Sequence, residues 1–392
     1  MYYIELEYEK HEKEVQTKNL IIYTKIMQTR LNRYKQFINN EFLPSIFWNK
    51  DYSLIDLSDN LRNKIQSKQF KRIIFTGMGC SAIVSDVIKG FFIGQKLPIY
   101  IDVINDSDFD FLADKKILED ETTLIIISSY SGYSKEPIIF YDKIKKMNKN
   151  VILLTSGGEL AQIGKKDNIS IIYWKLRNPD REYPLFHVPQ YLSILLDIFF
   201  ELGLTETNYA EEMEKVIELL KEEIDLKTTN EAREMANSIK DGEIILLASP
   251  KWHLSLLKLL CMHFNEIAMN PCHRNLFNEF THSEVASLTN PNSKRSIIIF
   301  KDIKENKYIT DKMDNLMNIL SEEVMENKKI NPIMIKMDGK DFFENFFRTL
   351  LFFHHVTYFL GAQNNVISRE LISRSAGNPW YNRETINNEK LN

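Results

Sequence analysis

The chain has 392 residues, 44% of them hydrophobic and 27% charged, with 50 Lys and Arg against 54 Asp and Glu and a formal net charge of −4. That length exceeds one small core and suits two domains. The charge balance excludes a global basic field that would draw nucleic acid, and no apolar run reaches the length of a membrane span. Cys80, Cys261 and Cys272 make no C-x-x-C pair, and the N-terminus is too charged for a signal peptide. A reducing, cytoplasmic location is therefore expected.

In chain order, residues 1–68 carry apolar positions at helical spacing, clearest in "NLIIYTKIMQTRLNRYKQFI", and predict a helical arm. The pattern then changes to short β-branched runs: "FKRIIFTG", "LPIYIDVIND", "TTLIIISSYSG", "NVILLTSGG" and "ISIIYWKL". The first four each lead into a helix-compatible segment, which predicts a parallel sheet covered on both faces over residues 69–204. A polar helical stretch follows as a connector. A second series, "EIILLAS", a helix from about Trp252 to Ala268, "RSIIIF", "DKMDNLMNIL", "PIMIKM" and an apolar helix from about Phe342 to Leu360, completes a second α/β domain over residues 205–375. Residues 376–392 form a polar tail.

Ligands bind at the carboxyl ends of parallel strands, which singles out three loops: "GMGCSA", "SSYSGYSKE" and "TSGGE". Gly77, Gly79 and Ala82 read as G-x-G-x-x-A, and Asp102 ends the next strand. A dinucleotide site therefore stays open on the first loop alone. In the second loop Ser128, Ser129, Ser131 and Ser134 surround Gly132 just before a helix. Clustered hydroxyls and free N–H groups at a helix N-terminus suit a compact dianion; the plain alternative is a serine-rich turn that only caps.

"GMGCSAIVSD" and "SSYSGYSKEP" together resemble the sugar isomerase (SIS) domain, whose loops usually read G-M-G-G-S-G and S-Y-S-G-N-T-x-E-T. "TSGGELAQIG" resembles the third loop of the bifunctional phosphoglucose/phosphomannose isomerases. The resemblance covers most of the chain after about residue 70. It implies an α/β fold of two SIS domains, each a doubly wound, mostly parallel sheet flanked by helices, with the N-terminal arm outside it. It also implies a homodimer with shared active sites, no metal or other cofactor, and a small phosphosugar as ligand, with no nucleic-acid or membrane partner. Gly79, Ser81, Ser129, Ser131 and Ser134 would hold the substrate phosphate. Cys80, Ala82, Tyr133 and Pro137 depart from the family pattern, and the bulk of Cys80 and Tyr133 bears on the size of the sugar pocket.

Moving a proton between C1 and C2 of a sugar phosphate needs a group that opens the ring, a base, and a cation or dipole for the enediolate oxygen. "HFNEIAMNPCHRNLFNEFTHSEV" is rich in histidines and carboxylates, so several pairs are open: His263, His273, Glu279 and Glu284 stand beside Glu266 and His282. The resemblance selects Glu266, in an F-N-E segment, as the C1/C2 base. It selects His282, sixteen residues on, as the ring opener, donated by either subunit. It likewise implies Arg181 at the enediolate, with Arg177 as a rival, and Lys390 in a tail that closes over the site. The expected activity is isomerisation of glucose 6-phosphate, and of mannose 6-phosphate if the pocket has room, with fructose 6-phosphate. Another phosphosugar such as an amino-sugar phosphate, a non-catalytic sugar-phosphate regulator, and a nicotinamide-dependent oxidoreductase are the competing readings.

Overall fold

The structure is a computed structural model that describes residues 51–93, 95, 99–105, 113–176, 184–209, 212–213, 215–216, 219–220, 226–289, 294–322 and 330–364. Its first half is built on β1 (Tyr52–Asp56), α1 (Asp59–Gln66), β2 (Arg72–Gly77), α2 (Gly79–Ile93), β3 (Tyr100–Val103), α3 (Lys115–Glu119), β4 (Thr123–Ser128), α4 (Lys135–Ile144), β5 (Val151–Thr155), α5 (Gly158–Lys166), β6 (Ser170–Trp174) and α6 (Val188–Glu201). The strands lie in the order β1-β6-β5-β4-β2-β3, and β2 through β6 run parallel. The apolar runs are continuous because both faces of a parallel sheet are covered. Ile73 and Phe75 of β2 face one core while Ile74 faces the other, and β4 and β5 alternate in the same way.

The start of the chain departs from the expected arm. Tyr52–Asp56 is a strand, antiparallel to β6, and α1 buries Leu61 and Ile65 in the core. Residues 51–68 therefore belong to the first sheet; the helical spacing of "LRNKIQ" is real, but it is the spacing of a covering helix. Residues 1–50 lie outside the described residues.

The second half contains α7 (Leu226–Ile239), β7 (Glu243–Ala248), a helical run over 250–268 that we label α8, β8 (Cys272–Leu276), α9 (Phe277–His282), β9 (Arg295–Asp302), α10 (Lys307–Glu322), β10 (Ile330–Met337) and α11 (Phe342–Gln363). Its parallel sheet has the order β10-β9-β7-β8. Pro332 sits in edge strand β10, where a missing N–H is tolerated. Strand β8, "CHRNL", is polar and carries no apolar run, so sequence pattern alone misses it.

One apolar core joins the halves. Ile73 and Phe75 of the first sheet and Ile244, Leu246, Ile298 and Phe300 of the second contribute to the same buried cluster, filled by α2, α6, α8 and α11. Helices α2 and α8 pack antiparallel. A Cβ on Gly90 would lie 2.7 Å from the Cβ of Ser255 and 3.1 Å from the Lys251 carbonyl, and one turn back Asp86 pairs with Lys258. Glycine at 90 lets the backbones approach at this crossing.

Candidate functional site

Strand β2 pairs with β3 on one side and β4 on the other, so the chain reverses direction across the sheet between β2 and β4. That crevice, at the carboxyl ends, is where open α/β sheets bind ligands. The loops after β2, β4 and β5 meet there. At Gly77 a Cβ would lie 2.7 Å from the Ser128 carbonyl, so any side chain would force the two strands apart. Gly79 opens α2 with φ of +56°, and no atom lies within 4 Å of where its Cβ would be. The backbone at the start of α2 is thus open to a close approach.

The second and third loops interlock. Gly132 (φ +71°) presents its α-carbon to the Gly157 carbonyl, which a Cβ would approach to 2.0 Å; at Gly158 (φ +71°) a Cβ would come within 2.3 Å of the Ser131 carbonyl. Tyr130 ties all three loops. Its N–H donates to Ser81 Oγ (3.0 Å), and its carbonyl accepts from Ser156 N–H (3.0 Å) and Oγ (2.6 Å). Its ring packs edge-on against Trp174 and Tyr191. Helices α2, α4 and α5 start from these loops, so three N-terminal dipole ends border one crevice.

Helix α8 carries Glu266 toward the same end. From Asp86 back to Gly79 is seven residues, and from Lys258 on to Glu266 is eight. At about 1.5 Å per residue these are ~10 and ~12 Å along antiparallel axes, which brings Glu266 level with the start of α2. Glu266 is half-buried in a π-helical turn, Phe264–Ala268, a rare geometry found mostly at functional sites. The turn is clamped. Asn265 bonds both the N–H and the carbonyl of Cys272 (3.1 Å each), and Asn364 donates to the Ala268 carbonyl (2.9 Å). Met269 ends the helix in the left-handed region at φ +50°, with Asn270 N–H bonded to the Phe264 carbonyl.

Residues 228–367 match the family model of the bacterial phosphoglucose isomerase C-terminal SIS domain. Over those residues the chain is a SIS domain by this match. A bifunctional phosphoglucose/phosphomannose isomerase from Caldicellulosiruptor bescii is 23% identical over 268 residues, which are 66% of this chain and 76% of that protein. One from Thermoplasma volcanium is 24% identical over 320 residues, 80% of this chain and 93% of that protein. The C-terminal domain of glucosamine-fructose-6-phosphate aminotransferase from Francisella tularensis has the same fold, with a TM-score of 0.59 at 16% identity, covering 86% of this chain and 95% of that one.

Within this SIS fold the expected phosphate residues divide into two kinds. Ser81 and Ser129 are buried staples: Ser81 Oγ takes the Tyr130 N–H and is bonded to the Tyr191 hydroxyl, and Ser129 Oγ takes the Gly132 N–H (3.2 Å). Ser131 is exposed, accepting from Tyr133 N–H at 3.3 Å, and Ser134 stands at the N-cap of α4 without capping it through its side chain. Ser131, Ser134 and the open backbone at Gly79 lie at the crevice; Ser81 and Ser129 brace its loops from within. Asp102, the residue a dinucleotide site would require, is engaged by Lys89 Nζ at 2.7 Å.

The structure does not place Glu266 and His282 on one face. Phe264 and Ile267 of α8 enter the central core, whereas Phe277 and Phe280 of α9 enter the core on the outer face of the second sheet. His282 is the exposed last residue of α9. The rivals have other partners. His263 is fully buried with its Nε2 3.2 Å from that of His354, whose imidazole burial and the two neighbouring histidines keep well below the ordinary range. His273 faces Glu243 at 3.4 Å, and Glu284 accepts from the Asn275 amide. Glu279 is exposed on α9. Arg177, Arg181 and Lys390 lie outside the described residues.

Sequence reading missed Arg274, on the unrecognised strand β8. Its guanidinium lies 2.8 and 3.1 Å from the two ring nitrogens of His253 and 3.1 Å from the His253 carbonyl. Burial, with this cation beside it, lowers His253 to about 4. No local pattern marks such a residue, because its partner is on another element.

Proposed function

We propose that the chain is a phosphosugar aldose–ketose isomerase that interconverts glucose 6-phosphate with fructose 6-phosphate through a cis-enediol, and accepts mannose 6-phosphate in the same site. The observation that carries this reading is the three-loop crevice at the β2/β4 reversal, placed level with Glu266 by the antiparallel packing of α2 and α8. The relatives named above as bifunctional isomerases support it.

The chemistry follows from the parts. The phosphate dianion sits over the start of α2 and α4, where helix N-termini favour negative charge, and takes hydrogen bonds from Ser131 and Ser134. His282, given by a second copy of the chain, moves the O1 proton to the ring oxygen and opens the ring. The Glu266 carboxylate then takes the proton from C2 of the aldose and returns it at C1, while the O2 hydroxyl proton passes to O1 through the enediol, leaving the ketose. Arg181 steadies the enediolate oxygen. The enediol is planar at C2, so rotation about C2–C3 that offers the base the other face yields the epimer. A shared site makes the working unit a homodimer, and three free thiols fit a reducing cytoplasm.

The test is a coupled assay from fructose 6-phosphate that reads glucose 6-phosphate and mannose 6-phosphate separately, with glucosamine 6-phosphate as the alternative substrate. Glu266→Gln is expected to lower kcat by about 10²–10⁴-fold with KM little changed, the usual range for removing a general base. A folded protein that binds fructose 6-phosphate without turning it over would overturn the proposal.

A further inference from the structure

We infer that the Asp86–Lys258 ion pair, its carboxylate buried and its ammonium half-buried, is a positioning device, which sets the separation between the phosphate crevice and Glu266. The inference rests on the isomerase reading above for its functional consequence, and on the helix packing for its geometry. Asp86 lies on α2, five residues beyond Ser81; Lys258 lies on α8, eight residues before Glu266. Asp86 is 6% exposed, and its carboxylate accepts from Lys258 Nζ and, at 3.2 Å, from Asn105 Nδ2. Burial pushes this carboxyl up, while Lys258, Arg274 and Lys89 pull it back toward the charged form.

The surroundings explain why a pin is needed here. At the crossing of α2 and α8 Gly90 abuts Ser255 and the Lys251 carbonyl, while the neighbouring Phe91 packs instead on Phe343 of α11 at 4.5 Å. Apolar contacts are non-directional and allow neighbouring helices to settle in several registers. A buried ion pair adds little net stability over an apolar pair of similar size, yet it is satisfied in one arrangement only. Sliding α8 by one turn, about 5.4 Å, would separate the charges and carry Glu266 away from the start of α2 by the same distance. A general base must reach its proton within hydrogen-bond range, so even a 1 Å error lowers the rate steeply.

The deciding variant replaces both charges with apolar groups of similar size, Asp86→Leu with Lys258→Met, so that no charge is left buried alone. It is expected to fold with an unchanged or higher thermal midpoint and to keep KM for fructose 6-phosphate within about threefold, while kcat falls at least tenfold. Lys258→Arg, which keeps the pair, is expected to retain kcat within a few-fold. Crystal structures of wild type and double variant should show the Gly79–Glu266 separation altered by more than about 1 Å. That readout needs no turnover: an unchanged separation overturns the inference even if the wild type isomerises no sugar, which by itself would overturn only the functional reading. Full kcat in the double variant of an active enzyme overturns it too.

Discussion

The two halves share one architecture and use its ligand-binding end in opposite ways. In the first half the reversal between β2 and β4 opens onto glycines, serine hydroxyls and helix N-termini. In the second half the corresponding reversal lies between β7 and β9, and the chain fills it with its own carboxylates. Asp302, at the end of β9, is 2% exposed and accepts from Lys251 Nζ (2.7 Å), Trp252 Nε1 (2.9 Å) and Lys304 N–H (3.0 Å). Beside it Ser249 bonds the Glu305 carboxylate. An anion is repelled where two carboxylates already occupy the crevice. The second half thus uses its strand ends to anchor the first turn of α8, the helix that carries Glu266. Fold alone did not assign these roles; the residues just past each strand did.

The largest effect expected from breaking this contrast is at Gly132. Alanine there would place Cβ 2.0 Å from a backbone carbonyl at a φ of +71°, so the second and third loops must separate. Gly132→Ala should lower kcat/KM for fructose 6-phosphate by about 100-fold or more, ~2.7 kcal/mol, with the thermal midpoint reduced only modestly because the loops are at the surface end of the sheet. Gly339→Ala is the control in the second half. Its Cβ would meet the Asn345 side chain at 2.7 Å, and it should alter stability while leaving KM unchanged. Steady-state kinetics and thermal melts of the pair decide the matter; equal kinetic losses would mean the two strand ends are not functionally distinct.

Asp302→Asn should show the reverse pattern, a loss of about 3 kcal/mol in stability from a broken buried pair with substrate affinity preserved. Burial alone would raise the Asp302 carboxyl, but its bonds from Lys251, Lys304 N–H and Trp252 outweigh that and hold it below the ordinary range. The folded-state pKa is therefore lower than the unfolded value near ~3.9. Its contribution is present above that value and is lost as pH falls below it. Denaturant titrations should find a constant gap between wild type and variant from about pH 7 to pH 5, shrinking below about pH 4. A gap that grows on acidification would contradict the ion-pair account.

How much of this was legible beforehand follows the range of each signal. Continuous apolar runs such as "RIIFTG" and "EIILLAS" are local, so the parallel strands, and the loops after them, can be read directly. Strand β8 cannot, because "CHRNL" gains its place by pairing with β7 at a sheet edge rather than by burying apolar side chains. Strand β1 hides within an apparent helical arm for a similar reason: its partner is β6, more than a hundred residues away. The serines were legible as a cluster but not in their separate duties, since the bonds that bury Ser81 and Ser129 reach Tyr130, Tyr191 and Gly132. The π turn under Glu266 and the Asp86–Lys258 pair have no sequence signature at all.

The smallest predicted effect tests that division among the serines. Ser134 sits at the N-cap of α4 with its hydroxyl not used on its own helix, so Ser134→Ala removes no cap bond. It removes one hydrogen bond to a charged ligand, of the order of 1.5–3 kcal/mol. KM for fructose 6-phosphate should therefore rise roughly tenfold, kcat should stay the same, and the thermal midpoint of the unliganded protein should not move. Ser129→Ala should differ in kind. It removes one of the two acceptors of the Gly132 N–H in a buried loop, leaving only the Ser129 carbonyl at 3.2 Å, so it should lower the midpoint as well as the affinity. Measuring both quantities for both variants separates a ligand contact from a loop support. If Ser134→Ala destabilised the free protein as Ser129→Ala does, the crevice would be a capped turn, and the claim that the first half alone is built to receive a phosphate would fail.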